Sequence, residues 1–144
     1  MADPSANHIL YPVFAMFVLV AIVLFRMRRL RFAAVRSGEV SIKYYRAYQE
    51  GDEPEALRVV SRHFVNLFEM PVLFYVGVIM TYMTQSVSAW MVGLAWAYVA
   101  LRYVHSWVHL GSNDVRVRAT VYFASAGVLG IMYASLFLKL VLAE

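Results

Sequence analysis

Three stretches without a single charged side chain constrain this sequence more than any other feature. They are Ile9 to Phe25, 17 residues, Met70 to Leu101, 32 residues, and Ala119 to Leu138, 20 residues. An α-helix rises about 1.5 Å per residue, so about 20 apolar residues cross the ~30 Å hydrocarbon layer of a bilayer. A soluble domain of 144 residues could not bury a composition that is 62% hydrophobic with a mean hydropathy of +0.62. The expectation is therefore an all-α integral membrane protein. Polar flanks that snorkel complete the first crossing. The 32-residue stretch is too long for one crossing and divides at Thr84-Gln85-Ser86-Val87-Ser88. The second span starts just after Pro54 in an acidic Gly-Asp-Glu-Pro-Glu segment, and Gly111-Ser112-Asn113-Asp114 offers an N-cap to the last. Residues 1–144 are thus expected to form one membrane domain, a four-helix bundle with spans at about 8–31, 55–84, 89–110 and 115–140. Met1 to Ala6 has no basic residue, so the first span should remain in the mature protein and not be removed as a signal.

Charge placement orients the bundle. Twelve of the 13 Lys and Arg residues lie after span one, early in span two, late in span three or early in span four, with Lys139 the exception. The positive-inside rule places that end in the cytosol and both termini, with the Gln85 turn, on the noncytosolic side; the bacterial inner membrane is the expected location. The cluster Arg26, Arg28, Arg29 and Arg31 directly follows a span and reads as an orientation and anionic-lipid signal, so no nucleic-acid partner is expected. Tyr44, Tyr45 and Tyr48 in the one sizeable loop suit the membrane interface. The absence of cysteine excludes disulfides, thiolate metal ligands and a protein-borne thiol nucleophile.

Charged groups within a span cost about 2.5–3.5 kcal/mol each on insertion scales, and so ask for a reason. Span two carries Arg58, Arg62, Asn66 and Glu69 at spacings that put them along one helical face. Span three carries Arg102, His105 and His109, and span four opens with Arg116, Arg118 and Tyr122. All three faces sit at the basic end and can converge on one polar cavity. Many arginines around Glu69 suit an anion. A bland alternative has Glu69 pairing with an arginine as interhelical glue while the outer arginines snorkel. His105 and His109 form an HxxxH pair, but no third ligand is obvious; a haem held by His63 opposite His105 or His109 is disfavoured because His63 lies off the Arg62, Asn66, Glu69 face by about a quarter turn, so no metal is expected.

Arg62-x-x-x-Asn66-x-x-Glu69-x-Pro71, Arg102-x-x-His105 and Arg118-x-x-x-Tyr122, in that order across four spans, resemble the MAPEG family of membrane-associated proteins in eicosanoid and glutathione metabolism. The stretch Asn66 to Tyr75, NLFEMPVLFY, looks like bacterial members. The resemblance implies a homotrimer that binds glutathione between subunits at the cytosolic end. It implies that Arg28, or else Arg26 or Arg31, contacts the tripeptide, that Asn66 and Glu69 hold its polar groups with Arg62 nearby, and that Arg102 and His105 bind a carboxylate or support the site. Arg118 would lie against the sulfur, with Tyr122 beside it as the second catalytic residue. His109 stands where many members have tyrosine and Val65 where glutathione-using members often have a basic or polar residue; His109 can still donate a hydrogen bond, whereas Val65 replaces no ionic contact.

The chemistry agrees with the resemblance. Glutathione brings two carboxylates, one ammonium and a thiol, complementary to several arginines and a glutamate. A free thiol titrates near ~8.5, and an adjacent guanidinium lowers that. The expected activity is a glutathione-dependent transferase or peroxidase acting on an apolar electrophile or lipid hydroperoxide that arrives from the bilayer. The alternative is a noncatalytic membrane protein of the same fold that binds a lipid or protein partner.

Overall fold

In the computed structural model, which describes residues 4–48 and 52–142, every regular element is helical. A 3-10 helix, Pro4–Leu10, leads into α1 (Tyr11–Arg36), followed by α2 (Tyr44–Ala47), α3 (Glu55–Asn66), α4 (Met70–Met83), α5 (Ala89–Leu110) and α6 (Val115–Val141). Three stretches, Ala6–Arg36, Glu55–Met83 and Val115–Val141, are long and apolar enough to cross a membrane. The 22 residues of α5 also suffice in length, but they include Arg102, His105 and His109, and this helix turns its polar groups inward.

The outside of the bundle is apolar. Phe14, Phe17 and Phe25 of α1 and Phe123 and Phe137 of α6 are all exposed, which water would penalise and hydrocarbon would not. The core is a stripe from each helix. In α1 it is Pro12, Met16, Leu19, Val23, Met27 and Ala34, at helical spacings of three, four and seven. It meets Leu57 and Val60 of α3 and Leu94, Tyr98 and Val99 of α5. The ring of Phe74 stacks on Tyr98 at 4.6 Å between centroids. Helices α5 and α6 form the most extensive pair, joined by a short connection in which Asp114 caps α6 by accepting from the amides of Arg116 at 2.8 Å and Val117 at 3.1 Å. Ser88 caps α5 by accepting from Met91 at 3.3 Å. Both caps fall in the polar breaks read from the sequence.

One expectation needs correction. The second span is not a continuous helix over 55–84: α3 ends at Asn66 and α4 starts at Met70, with Leu67, Phe68 and Glu69 in tight turns between them. Pro71 explains the break. It has no amide to donate to the carbonyl four residues back, and its ring crowds that carbonyl, so it is accommodated only in the first turn of a new helix. The interruption falls within the Asn66, Glu69, Pro71 motif.

Candidate functional site

At the end of the bundle where α1 and α5 finish and α3 and α6 begin, the chain forms an open cavity of about 1040 Å³, at the upper end of ordinary ligand pockets. Seven of the nine site residues drawn from the resemblance line it: Arg62 and Asn66 from α3, Glu69 from the break, His105 and His109 from α5, and Arg118 and Tyr122 from α6. Helical phase brings them together, since α3 and α5 each turn one polar stripe towards the first two turns of α6.

Arg102 is not on the cavity wall. It lies behind it, 0% exposed, donating from Nη2 to Asn66 Oδ1 and sitting 5.7 Å from the centre of the Tyr122 ring. Asn66 in turn donates from Nδ2 to Glu69 Oε2 at 3.0 Å. Arg102 and Glu69 are therefore linked through Asn66, and the direct glutamate–arginine pair of the bland alternative does not occur among the described residues. Nε and Nη1 of Arg102 are buried without partners. A guanidinium held this way, with no carboxylate against it, favours an anion nearby.

Arg118 is fixed from two sides. Its Nη1 donates to Asn113 Oδ1 at 2.6 Å and lies 3.4 Å from His109 Nε2. Asn113 reaches it from a left-handed backbone, φ 51°, a conformation asparagine tolerates better than most residues. The guanidinium is thus held at the rim of the cavity, half-buried, without a carboxylate partner among the described residues. A fixed positive charge of that kind stabilises a developing or bound anion without reorganising.

The arginine of α1 that reaches the cavity is Arg31, one of the alternatives to Arg28. Arg31 is in phase with the buried Met27 above it, whereas Arg28 is rotated by about 100° and lies 5.4 Å over the Phe32 ring in a separate, mostly apolar groove. Arg31 pairs with Glu53 at 3.7 Å and sits 5.1 Å over the ring of Tyr45. Glu53, although it belongs to the acidic Gly-Asp-Glu-Pro-Glu segment, is only 8% exposed. Burial, and then the charge of Glu53, push the Tyr45 hydroxyl above its usual range. Glu69, in contrast, is exposed towards the cavity.

Sequence reasoning missed Glu53, Glu55 and Asn113 as cavity residues. The connection between α5 and α6 could have suggested Asn113, since a left-handed asparagine beside a cap is a recurrent turn. Nothing in the pattern pointed to Glu53. With these included, the wall carries four guanidiniums, from Arg31, Arg58, Arg62 and Arg118, against three carboxylates, from Glu53, Glu55 and Glu69.

A comparison with protein families matches residues 9–138 to the one described as the MAPEG family. No curated protein and no solved structure matches the chain.

Proposed function

The chain belongs to the MAPEG family, and from that premise we propose that it is a glutathione-dependent membrane enzyme, a transferase or peroxidase for apolar electrophiles or lipid hydroperoxides. The observation that carries the proposal is the cavity itself, which gathers seven of nine resemblance-derived residues at the basic end and leaves a net excess of one guanidinium. A tripeptide with two carboxylates and one ammonium matches that excess. In this reading Arg31, Arg58 and Arg62 receive the carboxylates, and Glu69, oriented by Asn66, receives the γ-glutamyl ammonium. Arg102 holds Asn66 in place and supplies positive potential from behind the wall.

Bound glutathione supplies a sulfur nucleophile. The chain's part is to hold the Arg118 guanidinium where the sulfur ionises, which lowers the thiol pKa and raises the fraction available for attack. Tyr122 lies next to Arg118 by one helical turn and can donate to the sulfur or to the leaving group. With an aryl halide, a carbon–sulfur bond forms as halide leaves and the thiol proton passes to solvent. The apolar outer faces of α1 and α6 would let such a substrate approach from lipid.

The proposed assembly is a homotrimer of four-span bundles in the bacterial inner membrane, with the basic end cytosolic and both termini on the other side. Arg28, outside its own chain's cavity, would then face a neighbouring subunit. A second reading, a noncatalytic protein of the same fold that binds a lipid or protein partner, is favoured by Val65, an apolar residue on the cavity wall where glutathione-using members often carry a polar one. Turnover separates the two: purified protein with glutathione and 1-chloro-2,4-dinitrobenzene, or a fatty-acid hydroperoxide, should give conjugate or alcohol above the uncatalysed rate. No rate above background with either substrate would favour the second reading.

A further inference from the structure

His63, His105 and His109 meet in the interior although they lie on two helices and only His105 and His109 are joined by a sequence motif. Each offers one ring nitrogen such that the three lie within 4.8 Å of one another. The ring centroids are 4.7 Å apart for His63 and His109 and 5.7 Å for the other two pairs. All three are buried, at 0%, 2% and 7% exposure. Three neutral imidazoles could simply pack, but their hydrogen bonds argue for more.

Ser106 Oγ donates its single proton to the carbonyl of Arg102 at 2.8 Å, so against His63 Nε2, also at 2.8 Å, it must accept. The proton of His63 is therefore on Nε2, and Nδ1 carries a bare lone pair, buried with no partner. His105 Nδ1 lies 3.2 Å from the carbonyl of Arg118, which can only accept, so that ring's lone pair is on Nε2, again buried and without a partner. Two of the three rings thus keep an orphaned acceptor inside the protein, each with its other nitrogen anchored by a neighbour. This is the arrangement that orients histidine towards a metal. His109 differs: its Nε2 faces Arg118 at 3.4 Å, a long contact that a competing ligand could displace.

We infer that His63, His105 and His109 form a binding site for a divalent ion of the imidazole-preferring class, with Zn²⁺ the favoured occupant. Three histidines and one exchangeable ligand are an established zinc arrangement, and a tetrahedral site requires nitrogens roughly 3.4 Å apart, which modest side-chain movement supplies. The three ligands bring no charge, and Arg102 and Arg118 are close by, so water or, more favourably, an anion completes the site. Either can reach the ion from the cavity, which His105 and His109 line. The site stands whether or not the cavity takes glutathione.

The test uses tag-free protein in lipid-supplemented detergent, stripped with a chelator and dialysed against Co²⁺, then Zn²⁺. Wild type should take up one ion per chain and show the strong visible bands of four-coordinate Co²⁺, which Zn²⁺ abolishes. His63→Gln and His109→Gln should each lose the bands, and His8→Gln, on the exposed 3-10 helix, should keep them. Ser106→Ala, which frees the His63 ring, should weaken Zn²⁺ binding about 10–100-fold. If the histidine variants fail to fold, the wild-type spectrum and the Ser106→Ala affinity decide. Only the pale spectrum of six-coordinate Co²⁺ in wild type, bands that survive both histidine substitutions, or Zn²⁺ affinity unchanged in Ser106→Ala would overturn the inference.

Discussion

Arg118 is the residue on which the proposed chemistry depends most. Held by Asn113 and His109 but unpaired by any carboxylate among the described residues, it can favour an ionised sulfur. Arg118→Gln should therefore lower kcat/KM by about 100-fold, as loss of one preorganised charge-stabilising donor does, while glutathione affinity changes far less. The ultraviolet absorbance of bound thiolate should disappear with it. Wild-type turnover in this variant would make Arg118 a membrane anchor only. A second contrast concerns the two glutamates. Glu53→Gln strands Arg31 in a partly desolvated pair and should destabilise the protein by about 1–3 kcal/mol, read as a lower melting temperature in detergent. Glu69→Gln keeps an oxygen for Asn66 to donate to and should stay within about 0.5 kcal/mol of wild type, yet lose glutathione retention. This reverses the stability order that the sequence suggests. The sequence places Glu69 inside an apolar run and Glu53 in a polar loop, and only the fold shows which one is covered. The same holds for Arg31 against Arg28: Tyr11 to Phe25 of α1 is apolar throughout and the arginines at 26, 28, 29 and 31 point all round the helix, so the phase of its inner stripe is not written in the pattern. Where a helix mixes polar and apolar residues, as α3 does, the phase is legible, and His63 falls in step with the buried Leu57 and Val60.

Among the elements, the break between α3 and α4 shapes the site most. It lets Glu69 leave the helical path and meet Asn66 across a turn, which a continuous helix would also permit by spacing but with the side chain tied to the α3 face. Pro71→Ala restores the missing donor and removes the ring clash. It should leave the melting temperature unchanged or raise it, while weakening glutathione binding about tenfold or more as Asn66 and Glu69 move, an effect of displacement from the productive geometry. A titration and a melting curve on the same preparation test it; unchanged affinity would show that the break does not position the site. Helix packing offers a second test. A Cβ at Gly77 would come within 3.1 Å of the Tyr133 ring, whose hydroxyl donates to the Leu73 carbonyl at 2.8 Å. Gly77→Val should overpack the contact between α4 and α6 and cost about 1–3 kcal/mol. The apolar helices, the polar breaks and the cap of α6 could be read from the sequence because charge-free length and turn chemistry are local signals. The kink was equally local, in Pro71, but was masked by the uninterrupted hydropathy around it.

At the scale of the molecule, family membership and three long apolar helices make this an integral membrane protein. The proposed topology follows from where the cations lie. Reporter fusions in the Gln85 turn and after Glu144 should both report the noncytosolic side, and a cytosolic signal from either would invert the bundle. The proposed trimer is not legible in a single chain's pattern, since an apolar outer face serves equally against lipid or against another subunit. The cavity was legible, because charge inside a membrane is expensive enough that its residues stand out. What remains decisive is the ligand. Detergent-solubilised protein passed over immobilised glutathione tests this most directly: the account predicts that it is retained and that free glutathione elutes it. Passage straight through the column, by protein whose melting curve shows it folded, would contradict the account.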